Sequence, residues 1–236
     1  MDSYGTINKT TRNDVNMIAT VNPNTNKVLL TSIPRDYYVQ LHGKTGYKDK
    51  LTHAGIYGIN TVVQTIEDLF GIDINYYVRV NFTTVESLVN TIGPIEIYSD
   101  KAMSLDGCKY VVGTNTVNGK CALRFARERH SYVEGDNHRI KNQQEVIKGI
   151  FNKLSKSAMV VTDYTSILNS LDGKFATNMD MKDITAFIKY ELEDITKYEI
   201  LDTQVTGTGS MELTYSYPHQ KLYVMYLKIP FLKRYL

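Results

Sequence analysis

The sequence has no tryptophan, only two cysteines, a net charge of just +2, and no run of eighteen apolar residues. The missing apolar run, with no signal-peptide core behind Met1, predicts that nothing here spans or crosses a membrane by itself. A charge that close to neutral excludes general affinity for nucleic acid, so any basic site is local. His53, His130 and His138 lack metal-ligand spacing, which argues against a zinc site. Neither a phosphate-cradling glycine loop before Lys-Ser/Thr nor a Ser-His-Asp order is present. Cys108 and Cys121 lie thirteen apart. They fit either one short disulfide loop, worth about 3 kcal/mol in an oxidising compartment, or two buried thiols. Repeats, low-complexity tracts and linkers are absent as well, so residues 1–236 read as a single domain.

What is present is an ordinary globular chain, 42% hydrophobic and 22% charged, with 18 tyrosines. Strands over 15–21 and 27–33, joined by Asn22-Pro23-Asn24-Thr25-Asn26, make a hairpin. Helical spacing over 59–70 ends at Gly71. A strand over 75–82 follows, then a short helix over 85–92 stopped by Gly93-Pro94, and a strand over 95–98. A brief strand over 110–112, a helix over 119–126, and a helix from Asp136 or Asn137 to about 155 come next. Two further helical patterns and strands over 198–205 and 222–227 complete the series. Strands alternating with helices predict an α/β or α+β fold, a central mixed sheet flanked by helices in layers. The basic, apolar stretch 228–236 is unlike a folded terminus.

Arginine is the informative residue. The chain has 19 lysines but 8 arginines, none of them between Arg139 and Arg234. Three fall within residues 127–143, where Arg127, Arg129 and Arg139 surround Asp136 and Gln143 follows Arg139 by one helical turn. A planar guanidinium grips phosphate or carboxylate with two hydrogen bonds, which a lysine cannot do. A helix beginning at Asp136 adds amides and a positive dipole end, so a multi-phosphate anion is the first hypothesis. Its stripe Arg139, Gln143, Val146, Ile150, Leu154 starts polar and continues apolar. The competing reading is a surface salt-bridge network with Glu128, Glu134 and Asp136. At the hairpin's open end, Arg12-Asn13-Asp14 precedes the first strand and Pro34-Arg35-Asp36 follows the second. Antiparallel pairing therefore brings Arg12, Asp14, Arg35 and Asp36 to one sheet edge.

Set side by side, these motifs form a pattern. They are Arg12-Asn13-Asp14 with Asn16-Met17, Thr31-Ser32-Ile33-Pro34-Arg35-Asp36, Lys50-Leu51-Thr52-His53-Ala54, and Tyr77-Val78-Arg79-Val80-Asn81-Phe82. Asn118-Gly119 with Ala122-Leu123, Arg127-Glu128-Arg129, and Gly135-Asp136-Asn137-His138-Arg139 with Gln143-Gln144 complete it. The chain resembles the LytR-CpsA-Psr family of cell-envelope phosphotransferases, with its streptococcal capsule-linked members nearest, over about residues 2–155. The sequence departs from the family pattern where only Asp2 remains of a leading Gly-x-Asp strand. It departs again at Asn142, where many members carry arginine, and in the tail 228–236.

The resemblance implies a transferase at the outer face of the cytoplasmic membrane, in the cell envelope of a Gram-positive bacterium. Such an enzyme moves a glycopolymer, capsular polysaccharide or teichoic acid, from undecaprenyl pyrophosphate to peptidoglycan through a phosphodiester. Family members carry a membrane anchor that this chain lacks, and their polyprenyl tail lies in an apolar tunnel between sheet and helices. The resemblance further implies Mg²⁺, with Mn²⁺ as an alternative, on Asp2 and Asp14. Pyrophosphate falls to Arg12, Arg35, Arg127, Arg129, Arg139, Gln143 and Lys50, and orienting roles to Asp36 and Asp136. Arg79, in mid-strand, reads as structural. Three rivals stand beside this reading: a polyprenyl pyrophosphate hydrolase, a non-catalytic module binding lipid-linked glycan, and an inactive copy lacking the first strand.

Overall fold

The computed structural model describes residue 7 and residues 10–133, 136–155, 164–187 and 198–228. It is an α+β fold divided into two compact units. One comprises Asn8–Tyr77 with Leu201–Leu236; the other is built chiefly from Val78–Ile200.

In the first unit, β1 (Asn16–Asn22) pairs antiparallel with β2 (Lys27–Ile33), from Asn16 opposite Ile33 to Asn22 opposite Lys27. The turn is closed by the Asn22 side chain, which accepts from the amides of Asn24 and Thr25, and by Asn26 in the left-handed region. β2 alternates, burying Val28, Leu30 and Ser32. β1 is exposed along most of its length. β11 (Glu199–Gln204) lies on the other side of β2.

Below this sheet, β3 (Tyr38–Val39) pairs with β4 (Asp49–Lys50), which leads into a 3₁₀ helix (Leu51–Tyr57) and α1 (Ile59–Phe70). α1 ends as expected at a left-handed Gly71, whose amide reaches Glu67 O at 2.8 Å. Its Val62 and Ile66 join Ile33, Tyr37, Leu41, Leu51 and Val205 in one core. These α1 residues are therefore packing residues.

The sequence reading missed β12 (Gly207–Thr214), which forms a long hairpin with β13 (Tyr217–Leu227). Gly207 and Gly209 in this strand are packing requirements. A Cβ on Gly209 would meet the Tyr223 ring at 2.7 Å, and one on Gly207 would strike Met225 and the Tyr226 carbonyl. Glycine here lets cross-strand side chains lie flat on the sheet.

In the second unit, β5 is only Val78–Val80, paired with β10 (Phe175–Thr177), and not the longer strand over 75–82. The strand stops because Asn81 caps α2 (Phe82–Ile92). Its side chain accepts from the Thr84 amide at 2.9 Å, while Thr84 Oγ1 accepts from the Asn81 amide. β6 (Ile95–Ser99) pairs with β9 (Gly113–Val117). β7 (Met103–Leu105) and β8 (Cys108–Tyr110) form a hairpin turned by Asp106 and Gly107, both at positive φ. The strand expected over 110–112 thus sits two residues earlier. Past Tyr110, the Val111 amide turns to the Asn115 side chain at 2.8 Å.

α3 (Gly119–Arg127) is capped by Asn118, whose side chain accepts from the Cys121 amide at 3.0 Å. Cys108 and Cys121 are joined as a disulfide that ties β8 to α3. α4 (Asp136–Ser155) lies on β6, with Gly149 so close to the Glu96 carbonyl that a Cβ would not fit. α5 (Tyr164–Ser170) and α6 (Met181–Phe187) follow. Among the described residues, no helix is long and apolar enough to cross a membrane.

Candidate active site

In the first unit, the β1–β2 register runs on past the last ladder pair and sets Asp14 opposite Arg35. The Arg35 guanidinium meets the Asp14 carboxylate at 2.5 Å, both side chains roughly three-quarters shielded. Arg35 Nε also lies 3.8 Å from Asp36, whose other oxygen pairs with Lys50 Nζ. Backbone bonds hold this arrangement: Thr52 N donates to Arg35 O and Leu51 N to Tyr37 O, both at 2.8 Å. Lys50 is thus the far end of a chain of alternating charge running Asp14, Arg35, Asp36, Lys50, rather than a free loop cation.

Arg12 is carried by a segment fastened to the 3₁₀ helix. Asn13 N donates to Thr52 O at 3.1 Å, and Asn13 Oδ1 accepts from Gly55 N at 2.9 Å. A Cβ at Gly55 would collide with Thr11 O and Asn13, so glycine is what allows this approach. The exposed Arg12 guanidinium donates to the Tyr217 hydroxyl at 2.8 Å.

Beneath lies a polar group the sequence reading passed over. Asp49 and His53 are both buried, and Asp49 Oδ1 accepts from the Lys50 amide at 2.7 Å and meets His53 Nδ1 at 2.6 Å. Asp49 Oδ2 accepts from the amide of Ser216 at 2.9 Å and its hydroxyl at 2.5 Å. Burial alone would raise the Asp49 carboxyl. The hydrogen bonds from His53 and Ser216, the charge of His53 and the Lys50 amide outweigh it and hold the carboxyl below its usual range. The spacing of Asp49 and His53, four apart, was the available signal; Ser216 and Tyr217 carried none.

In the second unit, Arg127 ends α3 with its guanidinium 4.4 Å above the Phe82 ring, a cation–π contact. Arg129 is exposed in the loop that follows, its Nε donating to His130 Nε2 at 3.3 Å. Glu128 turns away from the salt-bridge role considered for it: its carboxylate accepts from the Ser131 amide at 2.7 Å. Burial raises that carboxyl, but hydrogen bonds from Ser131 and His130 and the charge of His130 bring it below its ordinary value. Tyr132 stacks on His138, with centroids 3.4 Å apart, and Lys101 Nζ donates to Ser131 O at 2.6 Å. The Arg129 loop is therefore tied at both ends.

α4 begins at Asp136 and carries Arg139 and Gln143, both half-buried. Its most buried positions are His138, Asn142, Gln144, Val146 and Gly149, so the stripe is rotated from the expected Arg139-Gln143-Val146-Ile150-Leu154 face. The close seat of Gly149 on β6 turns the helix this way. Asn142, at the position where many members carry arginine, donates to Phe125 O at 3.2 Å and fixes the end of α3 from which Arg127 projects. Asp2, Glu134 and the Asp136 side chain lie outside the described residues. Among the described residues, no group of three acidic, histidine or cysteine side chains could hold a metal by itself. Asp14 can contribute only one carboxylate, which suits Mg²⁺ completing its shell from phosphate and water.

The LytR_cpsA_psr family model matches residues 2–227, so the likeness continues well past 155. The chain is 33% identical to the Enterococcus faecalis polyisoprenyl-teichoic acid--peptidoglycan teichoic acid transferase TagU, over 87% of this chain and 67% of that protein. To Bacillus subtilis TagU it is 34% identical, over 84% and 64%. It thus spans about two-thirds of the length of these curated relatives. The crystal structure of B. subtilis TagU superposes with a TM-score of 0.71 at 29% identity, covering 93% of this chain and 87% of that one. A structure of TagT bound to LIIa-WTA superposes at 0.75 with 26% identity, covering 94% and 82%. Motif, match and fold agree, and the chain belongs to the LytR_cpsA_psr family.

Proposed function

We propose that this chain is the catalytic part of a glycopolymer–peptidoglycan phosphotransferase, taking a teichoic acid or related polymer from a polyisoprenyl pyrophosphate carrier. The observation that carries the reading is the ordered chain of charge at the open end of the β1–β2 hairpin, in a family whose curated relatives are named for this transfer. The reaction is a displacement at phosphorus. A hydroxyl oxygen of peptidoglycan attacks the phosphorus bearing the glycan. The bond from that phosphorus to the bridging oxygen breaks, and polyprenyl phosphate leaves. The hydroxyl proton passes to an aspartate.

Positioning and charge neutralisation supply most of the catalysis in such a step. Arg12 and Arg35 in the first unit, with Arg127, Arg129 and Arg139 in the second, are the cations assigned to it. Gln143 and Lys50 complete the polar set, and Asp36 and Asp136 orient it. Asp14 is the described residue that would hold Mg²⁺, with Asp2 its proposed partner, and the ion would supply neutralisation of phosphate charge. The Cys108–Cys121 disulfide agrees with work outside the cytoplasm, at the cell envelope. Capsular polysaccharide as the polymer, and a membrane anchor elsewhere in the protein, belong to the same proposal.

The test incubates the chain with a polyprenyl-pyrophosphate-linked glycan and Mg²⁺, with and without peptidoglycan. The reading requires glycan bound to peptidoglycan through a phosphodiester, together with released polyprenyl phosphate. Glycan phosphate released equally fast without acceptor would make the chain a hydrolase, and binding without turnover would make it a glycan-binding module.

A further inference from the structure

The contact between Arg12 and Tyr217 joins residues 205 apart in sequence, and both are anchored to one short element. The backbone around Arg12 is bonded to Thr52 and Gly55 of the 3₁₀ helix. Tyr217 stands at the tip of the β12–β13 hairpin, held by the same region. Asp49, immediately before that helix, takes both the amide and the hydroxyl of Ser216. His53, within the helix, meets Asp49 through Nδ1 and lies 5.5 Å from the Tyr217 ring. The Tyr217 amide itself donates to Thr214 Oγ1 at 3.2 Å, and Thr214 is fully buried.

Asp49 thus has all four of its hydrogen bonds placed in a dry setting, where a fully satisfied network is rigid. The hairpin tip cannot drift without breaking it. Arg12, by contrast, is exposed, and a free arginine loses much rotamer entropy when it settles on a phosphate. A phenol carried on an anchored backbone, 39% exposed and already accepting one guanidinium hydrogen bond, removes part of that cost in advance.

We propose that Tyr217 is a positioning residue for Arg12, and that Asp49, His53 and Ser216 form the frame that aims the phenol. The proposal rests on the reading of Arg12 as a phosphate-binding residue. It concerns no contact between Tyr217 and substrate.

Tyr217→Phe keeps the ring against His53 and removes only the acceptor oxygen, so it separates aiming from packing. Its expected effect is a loss of about fivefold to tenfold in transfer kcat, with an unchanged melting temperature. In an Arg12→Ala background, the same substitution should cost nothing further, because the group it aims is gone. Order in the Arg12 Nε–H group, read by NMR relaxation of the ligand-free protein, should fall in Tyr217→Phe. That readout does not depend on turnover. An inactive wild-type chain whose Arg12 still loosens in Tyr217→Phe would sink the function while leaving the positioning intact. Unchanged Arg12 order, or an equal loss in the Arg12→Ala background, overturns the positioning role. Ser216→Ala serves as the milder probe of the frame and should loosen Arg12 in the same direction.

Discussion

The two charge clusters differ in what holds their arginines. In the first unit, acid and base alternate: Asp14 with Arg35, Arg35 with Asp36, Asp36 with Lys50, over a buried Asp49–His53 pair. In the second, Arg127 lies on the Phe82 ring and Arg129 beside His130, on a loop secured by Ser131, Tyr132 and Asn142. The first is built from ion pairs laid out by strand register, the second from packing at the end of a helix. The physical expectation is that the first cluster ties function to stability, whereas the second can be altered with little effect on folding.

Substitutions can break that contrast, and the largest effect belongs to the buried pair. Asp49→Ala takes the acceptor from His53 Nδ1 and from the Ser216 amide, and its expected cost is about 3–5 kcal/mol in a denaturant titration. Arg127→Ala should lower transfer by about a hundredfold to a thousandfold, on the order of 3 kcal/mol in barrier, with the denaturation midpoint unmoved. A large drop in stability there would erase the distinction between the clusters. Replacing both cysteines by serine should cost about 3 kcal/mol through the thirteen-residue separation they bridge, and should leave the first unit's ion pairs unaffected. A double-mutant cycle on Asp14 and Arg35, both partly exposed, should give less than about 1 kcal/mol of coupling in stability, because the first cluster's tie to stability lies in the buried Asp49–His53 pair beside it, while Arg35→Ala alone lowers transfer by about a hundredfold or more.

Acid sharpens the same comparison. The Asp49 carboxyl is held below its usual range, so its contribution is complete above the unfolded value of about 4. It is lost as pH falls through the still lower folded value. The melting temperature of the wild type should therefore fall steeply below about pH 4. Asp49→Asn should flatten part of that fall.

The juxtaposition in the first cluster was legible because strand pairing is arithmetic. A hairpin over 15–21 and 27–33 brings Arg12, Asp14, Arg35 and Asp36 to one edge; the observed register, Asn16 opposite Ile33, and the Asp14–Arg35 ion pair are what the structure adds. One capping signal was equally local: Gly71 closes α1. What escaped notice depended on contacts remote in sequence. β12 went unassigned, and its Gly207 and Gly209 fit a strand because the cross-strand Met225 and Tyr223 fill the space a Cβ would take. The face of α4 was misplaced because Gly149, not the polar-to-apolar stripe, sets how the helix rests on β6. Asn142, noted only as a departure from the family's arginine, bonds Phe125 O, a partner seventeen residues away. His53 was weighed only as a metal ligand, and its carboxylate partner four residues earlier went unremarked.

The central claim, that these arginines serve transfer at a lipid-linked pyrophosphate, meets its most direct test in one assay. Wild type, Arg35→Ala and Arg127→Ala are each supplied with a polyprenyl-pyrophosphate-linked glycan, peptidoglycan and Mg²⁺, and released polyprenyl phosphate is counted. The account predicts release coupled to attached glycan in the wild type, and a loss of about a hundredfold or more in both variants. Full release by either variant, at wild-type stability, would contradict it.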